Sequence, residues 1–204
     1  MKDEMDILKE IGTTAAAHGS IALSEIIGRK INLSLPSLDI IPCDVVSKQI
    51  SIEGIVLTMQ TTLLSGLSGK VFFILEEKSA FRLIDICYKT RTDSKGVGLY
   101  TEMGMSVVKE VGNIIISSYV NSLSFFLKKL VIPSFPIFIS APFTEILNMI
   151  KSGFEDDDYV LMIEAIFEEE SEQIKGNFWL VLTAQAAEEV KTVCKKMLES
   201  LENS

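Results

Sequence analysis

Two stretches of this chain, one hundred residues apart, are spelled alike, and that doubling limits the fold more than any other feature. When Asp6–Pro36 is set against Ser106–Pro136, Glu10-Ile11-Gly12 meets Glu110-Val111-Gly112, Leu23-Ser24 meets Leu123-Ser124, and Pro36 meets Pro136. Further along, Gly69-Lys-Val-Phe-Phe-Ile-Leu75 meets Gly176-Asn-Phe-Trp-Leu-Val-Leu182 at an offset of 107, and that match continues to Cys87 and Cys194. Chance can produce one such match. Two in the same order, separated by a change in loop length, mark a duplicated unit. Two copies are too few for a solenoid, so the 204 residues are expected to form one pseudo-twofold domain, with repeats of about 1–95 and 101–204.

Each copy has the same internal grammar. Apolar residues at helical spacing predict a long opening helix over roughly 4–28 and again over 101–128. Gly28-Arg29-Lys30 closes the first with a glycine and then cations, as helix C-termini prefer. Short β-like runs follow at Ile31–Leu35, Ile55–Gln60 and Val71–Leu75, answered by Val131–Ile132, Ile137–Ile139, Val160–Ile166 and Phe178–Thr183. A closing helix is predicted near 77–89 and 185–201. Helix, hairpin-linked strands, helix is an α+β pattern: two long helices packed on a mostly antiparallel sheet.

Composition removes several functions. A net charge of −9 denies the chain the electrostatic footprint of a nucleic-acid binder. Cys43, Cys87 and Cys194 are too few and too scattered for a disulfide framework, and with the single histidine, His18, they make no metal motif. Buried free thiols in a reducing cytoplasm are the expected reading. The acidic Met1–Asp6 lacks the basic start and apolar run of a signal peptide. The apolar stretch 114–127 is broken by serines and Asn121, short of the roughly 20 residues that span a bilayer. Glu155–Asp158 lacks calcium-loop spacing and reads as a solvated turn.

The residues that can do chemistry lie on the second long helix. Ser106, Glu110 and Asn113 are four and three apart, which stacks them on one face, and the stripe continues through Ser117, Asn121 and Ser124. Val107, Val108, Val111, Ile114 and Ile115 fall on the other side, toward the sheet. Taken alone, such a stripe is a solvated helix face. The matching positions on the first helix are Asp6, Glu10 and Thr13, then Ala17, Ile21 and Ser24: the glutamate recurs and the asparagine does not. His18 has no acidic residue a turn away and reads as structural, Ala15, Ala16, Ala17 and Gly19 leave room for close packing, and Trp179 reads as core or rim. Pro36 and Pro136 are expected to shape the chain after a strand.

The spacing Asp/Ser-x3-Glu-x2-Asn-x22-Pro resembles the signature of the CheC, CheX and FliY phosphatases. Ser106-x3-Glu110-x2-Asn113-x22-Pro136 fits it fully, and Asp6-x3-Glu10-x2-Thr13-x22-Pro36 fits except at the asparagine. The resemblance covers nearly the whole chain, repeat included. It implies hydrolysis of the aspartyl phosphate of a CheY-type response regulator. Asn113 would orient the attacking water, Glu110 would pair with the regulator's active-site lysine, and Ser106 would support them. The first site (Asp6, Glu10, Thr13) would be degenerate. It implies no cofactor of the chain's own, Mg²⁺ belonging to the regulator, and CheD as a further partner. Nucleic acid and membrane insertion are not expected. The rival readings are a catalytically silent protein like the FliM middle domain, which shares the fold without the phosphatase residues, and a CheD-tethering module.

Overall fold

Helix α1 (Glu4–Ile27) forms where the apolar periodicity predicts it, with Ile7, Leu8, Ile11, Leu23 and Ile27 buried along one side. It opens a computed structural model that describes residues 4–43, 45–46, 52–89, 101–155, 158–169 and 172–202. Residues 90–100, where the expected repeats meet, lie outside the described residues, as do Asp156 and Asp157 of the acidic run. After α1 come β1 (Asn32–Pro42), β2 (Ile55–Ser65), β3 (Gly69–Glu76) and α2 (Glu77–Lys89). Then follow α3 (Glu102–Leu127), β4 (Ile132–Pro133), β5 (Ile137–Pro142), α4 (Phe143–Ser152), β6 (Tyr159–Glu169), β7 (Glu172–Leu182) and α5 (Ala184–Glu202).

Seven strands make one sheet in the order β1-β6-β7-β3-β2, with β4 and β5 both pairing with the free side of β2. Every pairing is antiparallel, so the α+β class holds. Strand β3 is buried on both faces, and its side chains alternate between two cores. Val71, Phe73 and Leu75 point to the side carrying α1, α2, α3 and α5, and Phe72 and Ile74 point to the other.

That second face is covered by α4. Residues 143–152, to which the repeat assigns no helix, place Phe143, Ile146, Leu147 and Ile150 at helical spacing, all buried. Phe143 meets Trp179 edge-on at 5.9 Å, and Trp179 is core, with no exposed surface. The prolines also differ from expectation in part. Pro36 lies inside β1, not after it, at the register shift between Ser34 and Ser37. An edge strand tolerates the missing N–H there. Pro136 sits in the gap between β4 and β5. The three cysteines are free and buried.

The two long helices end in the same way. Gly28 and Lys128 both turn left-handed, at φ 73° and 52°. The Ser24 hydroxyl accepts from the Ile31 amide at 2.9 Å, and the Ser124 hydroxyl accepts from the Val131 amide at 3.3 Å. The end of each polar stripe therefore fastens the helix to its following strand. α1 and α3 run antiparallel: Ile26 shares a cleft with Met103, Gly19 approaches Ser118, and Leu8 lies with Leu123.

Candidate functional site

Helix α3 is rigidly mounted. Its first turn is capped by Thr101, whose hydroxyl accepts from the Gly104 amide at 3.1 Å. Val108, Val111, Ile115, Ile116, Tyr119 and Leu123 are buried beneath it. A Cβ at Gly112 would fall 2.2 Å from Met59 Sδ and 3.1 Å from the Phe73 ring, so the absence of a side chain brings the helix down onto β2 and β3. Tyr119 packs on Phe178 with ring centroids 4.5 Å apart. Burial first, and Cys194 second, push its phenol well above the ordinary tyrosine range, so it stays neutral.

The opposite side of this anchored helix carries Ser106, Glu110 and Asn113, all exposed. Among the described residues the three side chains have no hydrogen-bond or ion-pair partner. The neighbouring cation does not neutralise Glu110: Lys109 projects elsewhere, its ammonium 5.6 Å from the centre of the Phe138 ring on β5. Ser117 is half-buried and Asn121 exposed. Of the residues predicted to face the sheet, Val107 and Ile114 are only half-buried, while Val108, Val111 and Ile115 are fully so.

The matching face of α1 is different chemistry on a similar frame. Asp6 is half-buried, and Glu10 and Thr13 are exposed. The Thr13 hydroxyl is donated back to the Lys9 carbonyl at 2.9 Å, so its one proton is already committed to its own helix. Ala17, His18 and Ile21 are exposed beyond it, whereas Ala15, Ala16 and Gly19 supply the close packing expected of that stretch. The two sets of site residues stay apart, at opposite ends of the antiparallel pair.

Beside Glu110 lies a cleft of about 550 Å³ that the stripe alone did not reveal. Ile27, Cys87 and Val111 are buried at its base, and Ile26, Met103, Glu102 and Glu110 are exposed around it. Its signal in the sequence is the continuation of the stripe one turn upstream, Glu102-x3-Ser106-x3-Glu110. Among the described residues no three His, Cys, Asp or Glu side chains gather as a metal site, and no helix is long and apolar enough to cross a membrane.

A carboxylate and a carboxamide one turn apart, exposed on a fixed helix and unpartnered among the described residues, keep their hydrogen-bonding capacity for another molecule. The model of the CheC-like family matches residues 103–140, the stretch that carries the site. The CheY-P phosphatase CheC of Bacillus subtilis is 28% identical over 141 residues, covering 66% of this chain and 65% of that protein. The flagellar motor switch phosphatase FliY of the same organism is 26% identical over 163 residues, covering 78% of this chain and 40% of that one. The matches therefore span just under two-thirds and two-fifths of these relatives' own lengths. The crystal structure of Thermotoga maritima FliY has the same fold, with a TM-score of 0.73 at 22% identity, covering 95% of this chain and 96% of that one. The family model thus falls on α3 and the strands after it, and the fold is shared from end to end with FliY, so the chain is similar to the CheC-like proteins in sequence at its second long helix and in fold throughout.

Proposed function

We propose that this chain is a phosphatase that hydrolyses the aspartyl phosphate of a CheY-type response regulator in chemotaxis signalling. The observation that carries the reading is the pair Glu110 and Asn113, exposed and unpartnered among the described residues, on a helix clamped from behind through Gly112. Relatives named as a CheY-P phosphatase and a switch phosphatase support it.

In the reaction a water attacks phosphorus, the bond to the aspartyl oxygen breaks, and the products are inorganic phosphate and the free aspartate. Phosphoryl transfer asks the protein for placement and charge stabilisation more than covalent chemistry. An amide suits this task, because its oxygen accepts from the attacking water while its nitrogen can donate. Asn113 would hold that water in line, and Glu110 would fix the docked helix through a charge-assisted bond to a lysine of the regulator. Mg²⁺ would be supplied by the regulator. We read the chain as two copies of one unit, supported by the twin closures at Ser24 and Ser124, with only the second copy carrying a working site. CheD binding and a cytoplasmic location follow from the same family reading.

The test is the decay of phosphorylated regulator with Mg²⁺ present. Displacement of a reacting group by about 1 Å costs on the order of 10²-fold. Asn113→Ala, which deletes the group, is expected to remove at least that much of the acceleration, and Thr13→Ala is expected to change it less than twofold. Equal losses from both would overturn the one-site reading. Retention of CheD on the immobilised chain, with and without regulator, tests the tethering role separately.

A further inference from the structure

We infer that the cleft beside Glu110 is a specificity pocket of the same docking surface: it takes an apolar side chain of the regulator, with a neighbouring lysine or arginine meeting Glu102. The inference rests on the proposed phosphatase reading and names the part of the partner that the Glu110–Asn113 pair leaves unspecified.

Three observations support it. The cleft is continuous with the motif, since Ser106 and Glu110 belong to its lining, so a protein that pairs with Glu110 comes to its edge. Its rim is apolar where water would be expected: Met103 is 57% exposed and Ile26 41% exposed, beside a buried base. Covering such apolar surface is favourable, and a methionine adapts its shape to what it meets. Finally, the charge on the rim has one sign. Glu102 and Glu110 are exposed and have no partner among the described residues.

The charge selects the occupant. A second copy of this chain, at net −9, would bring its own acidic rim against this one, and like charges in an interface are costly. An apolar side chain flanked by a cation satisfies both halves of the rim. The site is also composite: Ile26 comes from α1, Cys87 from α2, and Met103 from α3. The half of the molecule with the degenerate motif thus supplies a wall of the other half's pocket.

The experiment measures the affinity of the whole chain for a CheY-type regulator loaded with beryllofluoride and Mg²⁺, together with KM and kcat for the phosphorylated form. Met103→Glu and Ile26→Glu are expected to weaken binding and raise KM about tenfold or more, with kcat at saturation held within twofold. Met103→Leu should stay near wild type. Glu102→Lys should weaken binding several-fold at low salt and lose the difference at high salt. Both apolar positions are exposed, and a thermal melt confirms that each variant is folded. Unchanged affinity in the glutamate variants overturns the pocket and leaves the Asn113 reading intact. A fall in kcat without a change in affinity overturns it equally. No binding or acceleration by the unaltered chain overturns both readings. A dimer of the unaltered chain that Met103→Glu abolishes would place a second copy in the cleft, and overturns the inference.

Discussion

The two long helices are the same beam finished in two ways. Helices α1 and α3 lie against each other and close with a left-handed residue and a serine that accepts from the residue just before the following strand. On the solvent side they part company. α3 offers Glu110 and Asn113 with no partner among the described residues, while α1 offers Glu10 beside a threonine whose hydroxyl is turned back on Lys9. Likeness survives at the positions that fasten the helix end, and difference is concentrated at the positions that face solvent. The lesson is that a repeat is best judged by where it fails to repeat.

That contrast can be broken deliberately, and the mounting should respond most. Gly112→Ala places a Cβ against Met59 and Phe73 in a filled core, whereas the same change at Gly12 meets only Leu35 at an ordinary 3.5 Å. Overpacking costs about 1–3 kcal/mol, and replacing a helical glycine gains up to about 1. Denaturant melts should therefore show opposite signs: Gly112→Ala destabilised by about 1–2 kcal/mol, Gly12→Ala unchanged or stabilised. The same sign at both would mean that the two helices sit equally close to the sheet.

A smaller effect is expected at the helix ends. Lys128 holds the left-handed position that Gly28 fills in the other helix. Lys128→Gly should raise stability by up to about 1 kcal/mol, since glycine carries no Cβ penalty there. Loss of stability would show that the lysine side chain contributes to the cap. The smallest effect is the most direct for function. Thr13→Asn restores the amide on α1, and regulator dephosphorylation should rise by at most about twofold if two equal sites then work. No rise would mean that α1 lacks a docking surface as well as the amide.

Much of this was legible from residue order alone. The long helices, the strand runs and the Ser106/Glu110/Asn113 stripe follow from spacing, because spacing decides which side chains share a helix face. What escaped was set by tertiary context. Helix α4 carries an apolar pattern at Phe143, Ile146, Leu147 and Ile150, but at only ten residues it is short for a helix to be read from spacing alone. The unbroken apolar run Val71–Leu75 was the better clue, since a strand buried on both faces needs a layer on each. A proline ends an interior strand, so residue order alone stops β1 before Pro36, and only the sheet order shows β1 to be an edge. The cleft is built from three helices that are distant in sequence, and no single stretch of text displays it.

The antiparallel crossing of the long helices carries a last consequence. Because Ile26, in the final turn of α1, stands at the rim beside Glu110, the quiet half of the molecule is not free to drift. If a regulator docks there as proposed, a change in the last turn of α1 reaches it directly, and the helix without the amide serves as a jaw for the helix that has it.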